Sequence, residues 1–279
     1  MSVPADAPSG RHDRRDEYTH GHHDSVLRTH SWRTVENSAA YLVPHLREGL
    51  RVLDVGSGPG TITVDLARRV APGEVVGVDA SAGVVAKAAG LAASAGVDNV
   101  EFRVGDAYAL EFPDASFDVV HAHQVLQHLA RPVDALREWR RVLKPGGVVA
   151  ARDVDYGGVI WSPASPVLTR WLELYHDVHA WNGGEADAGR RLHRWARSAG
   201  FADIASSGSV WVFASAAERE WWGGAWAERA TESQFAAHAI ESGHSTAEEL
   251  RAIARGWRDW AADPDGWFLM PHGEIIARA

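Results

Sequence analysis

Three glycines at alternate positions, Gly56, Gly58 and Gly60, close the stretch LDVGSGPG behind a short apolar run. Glycines so spaced let a chain turn sharply and let another group approach backbone amides that a side chain would screen. About 20 residues further on, Asp79 ends a second apolar run, VVGVDA, where a carboxylate can take both hydroxyls of a ribose in charge-assisted hydrogen bonds. Asp106, within the GDA of residues 105–107, ends a third run and offers an acceptor to an adenine amino group, with the neighbouring backbone amide facing the ring. His123 ends a fourth, VVHAHQ, and imidazole titrates near neutral pH, as a general base must. Together these residues make a site for a nucleoside-bearing ligand. The dinucleotide fingerprint G-x-G-x-x-G is not met, because the third glycine comes one residue early at Gly60 and Thr61 follows it. A nicotinamide dinucleotide is thereby disfavoured.

The elements that must position these residues recur regularly. RVLDVG, EVVGVDA, VEFRVGDA, FDVVHAH and GGVVAARDV read as strands, and TITVDLARRV, AGVVAKAAGLAASAG and PVDALREWRRVL as amphipathic helices between them. The alternation predicts a doubly wound, Rossmann-like α/β sheet covered on both faces, which binds ligands at the carboxyl ends of its strands. Residues 1–15 are expected to form a flexible tail, 16–47 a helical lid and 48–155 the core. Residues 156–279 supply the remaining strands and a helical cap, inserted at about 215–263. Helices are predicted over 166–181 and 187–199, with STAEEL starting another, and strands over FADIASSGSVWVFAS and GWFLMPHGEIIARA. Pro271, which has no N–H, points to an edge or bulge for the last strand.

The 279 residues are 46% hydrophobic, with 28 basic against 37 acidic side chains and no cysteine. Disulfides, thiolate metal sites and cysteine nucleophiles are excluded, and the net charge of −9 gives no general attraction to nucleic acid. No apolar run reaches the roughly 18 residues of a membrane span, and the amino terminus has no secretory pattern. A cytoplasmic protein acting on a small molecule, as a monomer or homodimer, is expected, without nucleic-acid or membrane partners.

Taken together, VLDVGSGPG, VVGVDAS, GDAYALEFPDASFDVVHAHQVLQHL and REWRRVLKPGG resemble the successive motifs of class I S-adenosylmethionine-dependent methyltransferases. The likeness is to the branch containing the ubiquinone/menaquinone-biosynthesis enzymes and small-molecule methyltransferases, and it covers about residues 40–155. It implies a seven-stranded sheet of order 3-2-1-4-5-7-6 with the last strand antiparallel. It also implies S-adenosylmethionine as cofactor, leaving as S-adenosylhomocysteine. Asp54 and the loop Gly56, Ser57, Gly58, Gly60 and Thr61 would hold the methionine end. Asp79 and Ala80 would hold the ribose, and Gly105, Asp106 and Ala107 the adenine. Ser57 stands where relatives often carry cysteine.

Methyl transfer from a sulfonium is an in-line displacement, so the protein must align the partners, exclude water and supply a base only where the acceptor starts protonated. His123 is the first candidate base, or else lines the methionine end. His121 reads as strand packing and His128 as a structural residue. Asp153, Asp155 and Tyr156 of RDVDY are candidate acceptor contacts, Asp155 and Tyr156 the catalytic ones. Eleven of the thirteen tryptophans follow Tyr156; Trp161, Trp171, Trp181, Trp211, Trp221, Trp222 and Trp226 are expected over the ligand edge, two or three of them lining a chamber. Tyr18, His22, His30 and Arg33 could close over the cofactor, with Tyr18 or Arg33 on its carboxylate. His20, His22 and His23 make a weak metal pattern, and no metal is expected. Arg190, Arg191 and Arg194 are a solvated basic face or a site for an anionic substrate. The absence of an [N/D]PP[Y/F] sequence after the fourth strand argues against methylation of amides or base amines by that route. The alternative function is a cofactor-binding protein of this fold that transfers no methyl, as a regulatory module or a cyclase-like enzyme.

Overall fold

The computed structural model describes residues 32–279. Eight strands form one sheet: β1 (Val52–Val55), β2 (Val75–Asp79), β3 (Val100–Val104), β4 (Phe117–His123), β5 (Leu143–Val154), β6 (Ile160–Ser162), β7 (Asp203–Phe213) and β8 (Trp267–Arg278). The order is β3-β2-β1-β4-β5-β8-β6, with β7 along the other edge of β8. Strands β1 to β5 run parallel, while β8 runs antiparallel to β5, β6 and β7. β6 merely extends the β5 edge of β8. Without it, the long strands keep the expected 3-2-1-4-5-7-6 order.

Register fixes which residues share an edge. Val55 pairs with Val78 on one side and Ala122 on the other, and Asp79 pairs with Val104. Gly56, Asp79, Gly105 and His123 therefore stand side by side where β1, β2, β3 and β4 end, at about 4.8 Å per strand. Side chains alternate between two covered faces. One carries Leu53, Val55, Val120, Ala122, Val149 and Ala151 against the helices Pro132–Val142 and Leu192–Ser198. The other carries Val52, Val119, Val148 and Ala150 under Val35–Ser38, Ala40–His45 and Thr61–Val70. The polar residues Asp54, His121, His123 and Arg152 share this second face, by the same parity.

The helices Pro166–Trp181, Ala216–Glu232, Gln234–Glu241 and Ala247–Ala262 build the cap. A Ser215–Glu218 capping box starts the second, and Thr246, which accepts from the Glu249 N–H, starts the fourth. Trp171, Trp226 and Trp257 meet at its centre, with Trp171 edge-on to the other two at 4.6 and 4.8 Å. Most cap tryptophans thus form a core.

The last strand corrects one expectation. β8 is interior, between β5 and β7, despite Pro271. The Pro271 carbonyl accepts from the Asp155 N–H. Because N and C=O of one extended residue point to the same side, the missing N–H faces the break between β5 and β6, where no ladder bond is lost.

Candidate functional site

The three glycines of the turn differ in what surrounds them. All have positive φ, but a Cβ on Gly56 would lie 2.4 Å from Val125 Cγ2, and one on Gly60 2.9 Å from Ala88 and Phe102. At Gly58, with φ +54°, a Cβ would meet nothing within 4 Å among the described residues. Two glycines are thus required by the chain's own packing, and the third opens onto free space. The Gly58 N–H donates to Asp79 Oδ2 (3.1 Å) and the Ser81 N–H to Asp79 Oδ1 (3.0 Å). A carboxylate accepts about four hydrogen bonds, so the half-exposed Asp79 keeps capacity for two hydroxyls. Beside it the Gly105 N–H donates to the Asp79 carbonyl, which seats Asp106 next door. Asp106 is exposed, and its Oδ1 accepts from the Tyr108 N–H (2.8 Å). Ala80 is exposed, and the Ala107 carbonyl accepts from Trp139 Nε1. The buried Ser57 hydroxyl has no hydrogen-bond partner.

Asp54 is buried and engaged from within: Oδ2 accepts from the Thr63 hydroxyl (2.6 Å) and Oδ1 from His121 Nδ1 (2.7 Å). It braces the helix that starts at Thr61 and the imidazole of β4.

His123 is also buried, and neither ring nitrogen has a hydrogen-bond partner among the described residues. Burial, then the charges of Arg33 and Arg152, hold its pKa well below the usual histidine value, so it is neutral at pH 7. In register beside it come Arg152, Glu274 and Ser207. Arg152 Nε donates to Ser209 Oγ (3.0 Å) and Glu274 Oε1 (3.3 Å), and the guanidinium lies 4.8 Å from the Trp211 ring. Trp211 packs 4.4 Å from His272 and 5.7 Å from His123. Arg33 Nη2 donates to Gln124 Oε1 (2.7 Å), and Gln124 Nε2 donates to His272 Nε2 (3.0 Å). The His272 proton is therefore on Nδ1, which donates to the Met270 carbonyl.

The other predicted residues are placed apart. Tyr18, His20, His22, His23 and His30 lie outside the described residues. Asp155 takes both the backbone and the guanidinium of Arg190. Arg191 pairs with Glu185 at 2.9 Å, so two of the three arginines of that helix are already matched by acids. Tyr156 stacks on Tyr175 (3.9 Å) within the cap core. The carboxyl of Asp153 lies on the opposite face from His123, caps the loop at the Gln127 N–H and is pushed up to about 8 by burial. Among the described residues no group of three or more His, Cys, Asp or Glu could hold a metal ion. Trp211 was among the tryptophans expected over the ligand edge, whereas Arg152, Glu274, His272 and Tyr41 were not singled out in the sequence; the available signal was an arginine and a glutamate inside the apolar strands VVAARDV and HGEIIAR.

The sheet, with its glycine turn and strand-end carboxylates, has the strand order expected of class I S-adenosylmethionine-dependent methyltransferases. The chain belongs to the methyltransferase domain family, which it matches over residues 46–200. It is 35% identical over 268 residues to an uncharacterized methyltransferase of Schizosaccharomyces pombe, covering 93% of this chain and 95% of that one. Among solved structures it resembles the YcgJ protein of Bacillus subtilis (TM-score 0.58, 21% identity, 90% of this chain and 98% of that chain). It also resembles the [4+2]-cyclase SpnF (TM-score 0.50, 25% identity, 91% and 80%). S-adenosylmethionine is the cofactor of this class.

Proposed function

We propose that this protein transfers a methyl group from S-adenosylmethionine to a small, partly aromatic or apolar metabolite. The observation that carries the assignment of the site is the row Gly58, Asp79, Asp106, in which a turn opening onto free space adjoins two strand-end carboxylates. Bound there, the cofactor supplies an electrophilic methyl group. The Gly56–Gly60 turn and Thr61 hold its amino-acid end, with Arg33 near its carboxylate. Asp79 and Ala80 hold the ribose, and Gly105, Asp106 and Ala107 the adenine. Asp54 acts through Thr63 and His121, keeping the turn in shape.

His123 is the base for an acceptor that starts protonated, since its neutral ring keeps a lone pair for a proton. Tyr156, packed against Tyr175, and Asp155, paired with Arg190, shape the acceptor side. Trp211 walls the acceptor side. No helix among the described residues is long and apolar enough to cross a membrane. The negative charge supports a metabolite rather than nucleic acid as acceptor, and the cysteine-free composition supports a cytoplasmic setting. A monomer or homodimer suffices for the site.

Likeness to a cyclase supports a second reading, in which the cofactor is bound and no methyl leaves it. Isothermal titration with S-adenosylmethionine, S-adenosylhomocysteine and NAD tests the cradle: the adenosyl ligands bind and NAD does not. Silence from both adenosyl ligands removes the assignment. Mass analysis of metabolites incubated with protein and cofactor then separates methyl transfer from the second reading.

A further inference from the structure

We propose that Arg152 anchors an acidic oxygen of the acceptor, so that the substrate carries a phenolate, enolate or carboxylate group; this rests on the methyltransferase reading above. Arg152 is 1% exposed at the carboxyl end of β5, yet Nη1 and Nη2 have no hydrogen-bond partner among the described residues. Its Nε is already committed to Glu274 and Ser209. Glu274 also accepts from the hydroxyls of Ser207 and Ser209. Four of the five guanidinium N–H groups are on those two free nitrogens. Unmet donors of a buried cation are costly, and the Trp211 face offsets the charge without accepting in-plane N–H bonds. An anionic oxygen meets both needs at once.

The surroundings favour the same ligand. Both nitrogens of His123 and the buried hydroxyl of Tyr41 lack partners near this guanidinium. His123 and His272 are held neutral by burial and by the Arg33 and Arg152 charges. Among the described residues Glu274 is the acid paired with Arg152 on this face, above the Asp54–His121 pair. An ammonium acceptor would meet donors rather than acceptors at Nη1 and Nη2. The cofactor's own carboxylate is a poorer match: Arg152 stands two strands, about 10 Å, from the turn after β1, with His123 between them.

The test uses the full chain saturated with S-adenosylhomocysteine, whose affinity is measured first. Benzoate and 4-nitrophenolate are titrated beside their uncharged counterparts benzamide and 4-nitroaniline. Anions are expected to bind roughly 10- to 100-fold tighter, the scale of hydrogen bonds to a charged group. Bound 4-nitrophenol should ionise about one pH unit or more below the free dye, read from its visible absorbance. Preference for benzoate alone identifies a carboxylate acceptor, and for nitrophenolate alone a phenol or enol; either supports the assignment. Arg152→Met should remove the preference while S-adenosylhomocysteine affinity stays within about twofold. Because that variant strands Glu274, the pair Arg152→Met with Glu274→Gln is run beside it, and circular dichroism checks the fold of each. Equal binding of anions and neutral counterparts overturns the proposal, as does a loss of S-adenosylhomocysteine affinity as large as the loss for the anions. If the wild-type chain binds no S-adenosylhomocysteine, the underlying reading falls and this one with it.

Discussion

Substituting Gly58→Ala separates a turn made for a ligand from a turn made for the fold. Holding alanine in the left-handed region costs about 1–2 kcal/mol, of which the reduced freedom of the unfolded chain returns about 0.4–1. With nothing within 4 Å of the added methyl, no packing penalty is added. The net loss is about 1 kcal/mol, or roughly 2–4 °C in a chain of this size. The methyl would nevertheless stand where the cofactor must approach, and overfilling a fitted contact costs about 1–3 kcal/mol, some 5- to 150-fold in affinity. Gly56→Ala is the control, because its methyl would lie 2.4 Å from Val125 and add a packing clash to the same strain. That variant should lose about 2–5 kcal/mol of stability, roughly 5–15 °C. Thermal melts paired with calorimetric titration of S-adenosylhomocysteine read both quantities. Wild-type affinity in a stable Gly58→Ala protein would refute the placement of the cofactor against this turn.

Asp79→Ala removes the acceptor that also binds the Gly58 and Ser81 amides, and should weaken S-adenosylhomocysteine by at least the 1.5–3 kcal/mol typical of bonds to a charged group; an unchanged calorimetric affinity rejects the ribose role. If His123 accepts a proton, the rate should hold as pH falls from 8 to 6, since burial keeps it neutral well below the ordinary histidine range. His123→Asn should then lower turnover about 100-fold or more with cofactor affinity intact, and a loss of affinity alone would make it a binding residue. Burial depresses His123, His128, His179 (to about 4) and His272 in the fold, so near pH 5 the unfolded chain binds more protons at these sites. Their stabilisation is complete above about pH 6.5 and declines as the pH falls, which melting temperatures between pH 7.5 and 5 will record. Asp153 has the opposite sign: raised to about 8 when folded, it takes stability away as pH rises from about 4 to 8. Asp153→Asn should therefore raise the melting temperature at pH 8.5 more than at pH 5, and an equal change at both would show that folding does not raise the pKa of this carboxyl.

What could be read in the sequence is local. The glycine turn and the acids Asp79 and Asp106 each sit within a few residues of the strand end that places them, so a linear motif carries their geometry. The acceptor side is different. Arg152, Glu274 and Ser207 come into line only when β5, β8 and β7 pair, over sequence separations that leave no pattern along the chain. Strands covered on both faces also read as continuous apolar runs, and such runs do not announce which face a residue will take. For the same reason Arg190 and Arg191 read as a free basic face: the acids that match them, Asp155 and Glu185, lie on other segments. The tryptophans were legible as a cap, but their burial in a shared core follows from packing among separate helices.

The division of the sheet explains how the protein tolerates so polar an interior. One parity of β1, β4 and β5 carries Val55, Ala122 and Ala151 into an apolar layer, while the other carries Asp54, His121, His123 and Arg152 beneath the amino-terminal helices. An unmet donor in that second row destabilises the fold by about 1–3 kcal/mol, and this row holds several. The aromatic core of the cap and the apolar face oppose that penalty, each buried tryptophan or phenylalanine contributing about 3–5 kcal/mol by the scale of its truncation. A fold serving stability alone would fill the second row with aliphatic side chains, as the first is filled at Val55, Ala122 and Ala151. In the roles proposed for them, His123 and Arg152 at the strand ends would hold a lone pair and donors dry before any ligand arrives, the preorganisation a displacement reaction requires.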